Sequence, residues 1–170
     1  MQTITVTTEK RTALVDVTGL LTQALATSGM RDGALVAYVP HTTAGITVNE
    51  NADPSVRRDI LMVLDNLVPG TLPFTHGEGN GDAHAKAALV GSSVTIPVQY
   101  GRLLLGTWQG VYFAEFDGPR RRNLMVQLLP AAGSCGSPDP TGSAPRQRPS
   151  TPSITNRSGS ASSLPPPSLR

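Results

Sequence analysis

The sequence predicts a single α+β domain, dominated by a mostly antiparallel sheet with a few helices packed on or beside it. Three observations lead to this prediction. The 170 residues suit one domain, with a core large enough to need no cross-links. Apolar residues alternate with polar ones in many segments of residues 1–130, whereas helical spacing is confined to short stretches. The closing strands follow one another through glycine-containing turns, as antiparallel hairpins do.

The predicted strands begin at the N-terminus and dominate the C-terminal part of the domain. Ile4 and Val6 alternate with threonines, which is typical of a half-buried strand. Within Trp108–Phe116, large apolar residues occupy both faces, and Glu115 shares a face with Gln109 because they are six residues apart. The remaining predicted strands are Ala13–Val17, Ala34–Val39, Gly45–Asn49, Ser93–Val98, Leu103–Gly106 and Asn123–Leu129.

Three helices are predicted from capping residues and apolar spacing. The second is the clearest, because Asp53 can cap free N–H groups and Pro54 fits a first helical position that needs no N–H. Thr18 is the expected cap of the first helix and Asp82 that of the third. The apolar residues of the second helix that follow helical spacing are Val56, Ile60, Val63, Leu64 and Leu67.

Residues 131–170 form a separate segment by composition. They contain 10 Ser and 8 Pro and few large apolar side chains, so we expect this tail to be disordered. Residues 1–130 carry 10 Lys and Arg against 11 Asp and Glu, whereas the tail carries four Arg and one Asp. The net charge of +2 therefore belongs to the tail, and dispersed arginines without aromatic residues predict no nucleic-acid partner.

Several other classes of protein are disfavoured. The single cysteine, Cys135, excludes an internal disulfide framework and a cysteine-based zinc site. The N-terminus has no apolar signal-peptide core, and no apolar run is long enough to span a bilayer. We therefore expect a soluble, cytoplasmic protein without a membrane partner.

The three histidines are the strongest candidates for a functional site. His76 and His84 bracket a glycine-rich segment, and His41 stands in the segment PHTTAG. Three neutral imidazoles can hold a divalent metal and leave a coordination position open. Glu78 and Asp82 could orient an imidazole or ligate through oxygen. The spacing matches no standard zinc pattern, so histidines that only form hydrogen bonds are the alternative.

Two further polar segments are candidate pocket walls. Asn49, Asn51 and Asp53 lie in NENAD, where turn formation and helix capping are the alternative roles. Trp108 stands in GTWQG and could stack on a planar ring, with core packing as the alternative. A buried Glu115 needs a partner, which an arginine, an imidazole or a metal could supply.

These segments together resemble the YjbQ family of secondary thiamine-phosphate synthase-like proteins. The resemblance covers about residues 3–130 and rests on PHTTAGITVNENADPSVRRDI, THGEGNGDAHAKAALVGSSVTIPV and GRLLLGTWQGVYFAEFDGPRRR. It implies a YjbQ-like domain over residues 1–130 with a β-sandwich-like sheet, a homotrimeric assembly, and a metal ion near the histidines. It has no counterpart for the tail. By resemblance the metal ligands are His41, His76 and His84, and the pocket residues are Asn51, Asp53, Gln109 and Glu115.

The resemblance implies a thiamine-phosphate synthase activity, strong or weak, that joins a pyrimidine diphosphate to a thiazole phosphate and releases pyrophosphate. Small phosphorylated metabolites would then be the partners. Zinc suits the imidazole ligands best, with Mg, Mn or Ni as alternatives. The alternative functions are a metal-dependent hydrolase or lyase of unknown substrate and a non-enzymatic trimeric module that binds a small metabolite. We assign catalysis to Glu115, Asn51 and Asp53, and substrate binding to Trp108, Gln109, Asn49, Arg102 and Lys86.

Overall fold

A computed structural model describes residues 1–132, which contain two antiparallel sheets and three helices. The five-stranded sheet has the order β1-β8-β3-β5-β6, and the three-stranded sheet has the order β2-β7-β4. The strands are β1 (Gln2–Thr7), β2 (Ala13–Asp16), β3 (Gly33–Tyr38), β4 (Ala44–Glu50), β5 (Ser93–Gln99), β6 (Arg102–Leu103), β7 (Gln109–Glu115) and β8 (Arg121–Pro130). The helices are α1 (Thr18–Ser28), α2 (Pro54–Leu67) and α3 (Gly81–Val90).

The main core unites apolar side chains from both sheets with one face of α1. The five-stranded sheet contributes residues such as Leu35 and Leu124, and the three-stranded sheet contributes Ile46 and Phe113. Leu21 of α1 is fully buried in the same cluster. This arrangement agrees with the predicted α+β class, because alternate residues of each strand reach the shared core.

A second, smaller core lies on the other face of the three-stranded sheet. Tyr112, Ala114 and Phe116 are fully buried there, together with Ala83 of α3, and partly buried residues of α2 pack against them. The central strand β7 is therefore covered on both faces. This double coverage explains why the predicted strand carries large apolar residues at odd and even positions alike.

The structure corrects the predicted pairing of the closing strands. β7 and β8 do not form a hairpin, although the segment between them is short. β7 pairs with β2 and β4, whereas β8 pairs with β1 and β3 in the other sheet. The strand predicted at Leu103–Gly106 is also shorter, because β6 ends at Leu103.

Two predicted helix caps are wrong, and α2 is less buried than its pattern suggests. Val17 occupies the cap position of α1, and the Thr18 hydroxyl instead accepts the backbone N–H of Val111 at 2.8 Å. Asn80 occupies the cap position of α3, with Asp82 in the first turn. No residue of α2 is fully buried, and Leu67 is 62% exposed.

The disordered tail predicted for residues 131–170 lies almost wholly outside the described residues, which end at residue 132. Within the described part of the chain, no helix has the length and apolar character needed to cross a membrane.

Candidate functional site at the histidines

His76 and His84 lie together, as the glycine-rich loop permits. Gly79 adopts a φ of +72°, and its N–H bonds the His76 carbonyl, so the chain turns sharply before α3 begins. The two imidazole rings are then 5.1 Å apart between centroids and meet edge to face at 82°. Both rings line an open pocket of about 560 Å³ with Phe74, Thr75, Gly81 and Ala85.

Gly81 shapes this pocket by admitting an aromatic ring against its backbone. A Cβ atom at this position would lie 2.6 Å from the Phe74 ring, so only glycine permits the contact without displacement. Phe74 is 37% exposed, which leaves part of the ring facing the pocket. The pocket thus combines two imidazoles with an aromatic wall.

His41 lies in the neighbourhood of His84. Both line an adjoining pocket of about 280 Å³. His41 Nε2 accepts the backbone N–H of Asn123 at 2.9 Å, which leaves Nδ1 as the protonated nitrogen of the neutral ring. Burial and the nearby Arg122 guanidinium lower the pKa of His41 below 6.5, so this imidazole is held neutral.

The donor set fits a divalent metal in part. A metal–nitrogen distance of about 2.0–2.1 Å places two imidazole centroids on one tetrahedral ion about 5 Å apart, which is the separation of His76 and His84. The described residues contain no group of three or more His, Cys, Asp or Glu side chains arranged to hold an ion. In particular, His41 Nε2 is already engaged by Asn123. The pair could occupy two ligand positions and leave the others to water, substrate or another chain.

Glu115 is fully buried and its hydrogen-bonding capacity is used by the fold. Arg122 Nη2 donates to its Oε1 at 2.6 Å, and Arg122 Nε donates to its Oε2 at 2.7 Å. The backbone N–H groups of Phe116 and Asp117 and the hydroxyl of Thr8 complete five hydrogen bonds. Burial alone would raise the pKa of Glu115, but these bonds outweigh it, and its pKa lies below 4.5. The carboxylate joins the end of β7 to β8 of the other sheet.

The NENAD segment forms its own polar cluster. Asn51 lies just beyond β4, where its Nδ2 donates to Asp16 at 2.8 Å and its Oδ1 accepts the Tyr112 hydroxyl. Asn49 Oδ1 accepts the next backbone N–H, that of Glu50, at 2.8 Å. Asp53 caps α2 by accepting the Ser55 N–H at 2.7 Å. Helix capping therefore accounts for Asp53, whereas Asn49 lies inside β4 opposite Gly110, so turn formation does not account for it.

Trp108 and Gln109 belong to this cluster and not to the histidines. Trp108 is 65% exposed, and its carbonyl accepts the Asn51 N–H at 2.7 Å. Gln109 Oε1 accepts the N–H of Gly106 at 2.8 Å, which fixes the turn before β7. Gln109 and Glu115 stand at opposite ends of β7, about 20 Å apart at 3.3 Å per residue. Thr43, beside His41, accepts a hydrogen bond from Arg122 at the Glu115 end.

The two cations predicted to bind substrate, Lys86 and Arg102, do not share a site. Lys86 is buried, and its Nζ lies 2.6 Å from Asp65 and 3.1 Å from Asp82. Both carboxylates neutralise it. Arg102 is exposed in the edge strand β6. Arg11 adds a second ion pair to Asp82 at 2.9 Å, and these cations hold the pKa of Asp82 below its usual value despite burial, which alone would raise it.

Three residues that shape these clusters were not predicted from the sequence. Arg122 stands in the run Arg120–Arg122, where alternation within the following strand could have marked it as inward-facing. Tyr112 and Asp16 position Asn51 by hydrogen bonds. In sequence, Tyr112 is 61 residues from Asn51 and Asp16 is 35 residues from it. Only the pairing of β2 and β4 with β7 brings them together.

Comparison with known proteins places these features in one family. Residues 2–131 match the family model described as UPF0047 protein YjbQ-like. The chain is 57% identical over 122 residues to UPF0047 protein MJ1081 of Methanocaldococcus jannaschii, covering 72% of this chain and 88% of that protein. It is 45% identical over 130 residues to UPF0047 protein YugU of Bacillus subtilis, covering 76% of this chain and 98% of that protein.

Solved structures show the same fold. A YjbQ/UPF0047 family protein from Clostridium acetobutylicum superposes with a TM-score of 0.75 at 49% identity, covering 76% of this chain and all of that one. A protein from Aeropyrum pernix superposes with a TM-score of 0.73 at 43% identity, covering 77% of this chain and all of that one.

Proposed function

The chain belongs to the YjbQ-like UPF0047 family, and we propose that it is a metal-dependent enzyme whose reaction takes place beside His76 and His84. The observation that carries this proposal is the 5.1 Å contact of the two imidazoles in an open pocket with an aromatic wall. Such a pocket can admit a small molecule, since ligand sites have volumes of about 300–1,000 Å³.

We propose thiamine phosphate synthesis as the reaction, in line with the family resemblance. The thiazole nitrogen would form a bond to the pyrimidine methylene carbon as the carbon–oxygen bond breaks and pyrophosphate leaves with the electron pair. A divalent metal would supply Lewis acidity to that leaving group. Phe74 could pack against the pyrimidine ring, and the neutral His41 could accept a hydrogen bond through the adjoining pocket only after releasing Asn123.

A homotrimer would complete this site. Trp108 directly precedes β7, and the far end of that strand, about 20 Å away, carries Glu115 on the His41 side, which sets the indole apart from the histidines of its own chain. Its 65% exposure leaves the indole free to line a pocket of a neighbouring copy. We therefore propose that Trp108 and Asn51 act across a subunit boundary if they contact substrate.

A metal-dependent hydrolase or lyase is the second candidate, and Glu78 favours it. Its Oε2 lies 3.8 Å from His76 Nε2, and the side chain is 76% exposed. A carboxylate at this position could accept a proton from a water molecule in the pocket. A metal-bound water with a pKa of about 7 would suit such a base.

The experiment has two arms. Elemental analysis of the purified protein measures bound divalent metal, and the variant His76→Ala/His84→Ala should lose it, whereas Phe74→Leu, which keeps both imidazoles, should retain it. Thiamine phosphate formed from the two precursors is then measured with Mg, Mn or Zn. Product at the level of a triple His→Ala variant would reject the synthase.

A panel of phosphoesters and amides tests the second candidate. Hydrolysis should disappear on chelation and fall in Glu78→Gln. Hydrolysis that survives chelation would reject a metal-dependent hydrolase. Specific binding of a phosphorylated metabolite without turnover and without metal would instead support the non-enzymatic trimeric module.

A further inference from the structure

Three cationic side chains line a groove between β2 and the start of α2. Lys10, Arg57 and Arg58 line it together with Thr12 and Pro54, and Ala13, Leu14 and Leu61 form its apolar part. Its volume is about 320 Å³. We call this feature the basic groove. It lies at the β2 edge of the three-stranded sheet, and β7 separates it from β4 and the histidine side.

The three cations of the basic groove are not neutralised by ion pairs. Within residues 1–132, every ion pair formed by Lys or Arg uses Arg11, Lys86, Arg120 or Arg122. Asp16 and Asp53 interact with Arg57 and Arg58 only at longer range, and their oxygens already accept hydrogen bonds from Thr18, Asn51 and Ser55. Among these groups, three cations therefore stand against two carboxylates, and neither carboxylate forms an ion pair with a cation of the groove.

One of these cations, Arg57, is held in position before any ligand arrives, and the backbone that carries Lys10 is also fixed. The Arg57 guanidinium lies 5.7 Å from the centroid of the buried Tyr112 ring, which restricts its movement. The backbone of Lys10 packs closely against Gly118. A Cβ atom added to Gly118 would lie only 2.3 Å from the Lys10 carbonyl oxygen. The neighbouring Arg11 carbonyl accepts the Gly118 N–H at 3.0 Å. A guanidinium that is already held in position loses less entropy when an anion binds.

We propose that the basic groove is a binding site for a small molecule carrying a phosphate or diphosphate group. A guanidinium can donate two parallel hydrogen bonds to two oxygens of one phosphate, and an ammonium adds a point charge. The Thr12 hydroxyl supplies a further donor, and the apolar part of the groove accommodates the organic portion. This site is separate from the histidines and needs no metal.

Titration calorimetry with pyrophosphate as the probe, in a chelator and at low ionic strength, tests the proposal. The full chain should bind the probe saturably, and added salt should weaken binding. Lys10→Gln/Arg58→Gln should lower the affinity by about tenfold or more, because one charge-assisted hydrogen bond corresponds to about a tenfold change. Arg57 is left in place because it packs on Tyr112.

Arg31→Gln/Arg121→Gln is the matched control. It removes the same charge from two exposed arginines that do not line the groove and form no ion pair within residues 1–132. Its affinity should stay within about twofold of the unmodified chain. The single variant Lys10→Gln, in an exposed loop, repeats the test if the double variant does not fold.

Three results would overturn the proposal. The first is the absence of saturable pyrophosphate binding, or an equal loss of affinity in the groove variant and in the control variant. The second is loss of pyrophosphate binding in His76→Ala/His84→Ala, which would place the anion at the histidines. The third is tighter binding of a single-stranded oligonucleotide that depends on Lys10 and Arg58, which would indicate a nucleic-acid surface. The chelator removes metal, so a failure to bind pyrophosphate would not count against the proposed metal-dependent activity. A failure to find that activity would likewise not count against the basic groove.

Discussion

Replacing Glu115 by glutamine removes the charge that Arg122 faces while almost preserving the shape of the side chain. Glu115 is fully buried and Arg122 is 7% exposed, so the guanidinium would remain in the interior without a counter-ion. Removing one partner of a buried pair costs about 3–5 kcal/mol. We expect a loss of about 3 kcal/mol, because the amide oxygen can still accept bonds from Thr8 or the backbone.

A double-mutant cycle isolates the pair from its surroundings. Arg122→Met leaves the Glu115 carboxylate buried without its cation, and we expect a loss of about 3–5 kcal/mol. The double variant Glu115→Gln/Arg122→Met leaves no buried charge at this position. Its loss should therefore be well below the sum of the two single losses.

The pH dependence has a definite sign. Because the folded-state pKa of Glu115 lies below 4.5, the unfolded chain takes up the proton first as the pH falls. The stabilisation is complete above pH 4.5 and is lost as the pH falls through the folded-state pKa. Glu115→Gln should lack this part of the acid sensitivity.

Urea unfolding followed by circular dichroism measures these differences. Tryptophan fluorescence is a poor probe, because Trp108 is already 65% exposed in the folded chain. Glu78→Gln is the control, since it makes the same chemical change in a side chain that is 76% exposed, and it should alter stability by at most about 0.5 kcal/mol. A Glu115→Gln variant as stable as this control would refute the structural role and return Glu115 to the catalytic candidates.

Three further predictions follow from single positions. Asp53→Ala should lower the melting temperature, whereas Asp53→Asn should not, because asparagine also caps a helix; equal effects would exclude capping. Since burial and Arg122 lower the pKa of His41, stability should fall as the pH drops below 6.5, and His41→Gln should flatten that part of the urea-denaturation profile. Gly33→Ala should cost at least about 2 kcal/mol, since its Cβ would lie 2.2 Å from the Leu129 carbonyl oxygen; a smaller loss on urea unfolding would show that the strand relaxes.

Local patterns predicted most elements of the fold but not their pairing. The strands predicted around Ile4 and Val6, at Ala34–Val39 and at Ser93–Val98 agree with β1, β3 and β5, because each side chain of a strand reports its own burial. Alternation contains no information about the partner strand. The segment between β7 and β8 looked like a hairpin turn, yet its Gly118 N–H bonds the Arg11 carbonyl near β2 and the two strands enter different sheets.

The candidate site was predictable only where its parts are close in sequence. The glycine-rich loop indicated that His76 and His84 could converge, and their rings are in contact. Chemistry also predicted that a buried Glu115 needs a partner, which proves to be Arg122, only seven residues away. The shared face of Gln109 and Glu115 did not make one pocket wall, because a strand of this length separates its ends by about 20 Å.

The arrangement of β7 limits how the candidate residues can cooperate. Glu115 at one end is committed to Arg122, so the reaction proposed at the histidines would need a freer group for proton transfer, such as Glu78, whose Oε2 lies 3.8 Å from His76 Nε2. Trp108, just before the other end of β7, is exposed and stands about 20 Å along the strand from Glu115. The basic groove adds a third position, at the β2 edge. The reaction proposed at the imidazole pocket would therefore use that pocket alone within one chain, and the proposed homotrimer is the arrangement that would let the other two positions contribute.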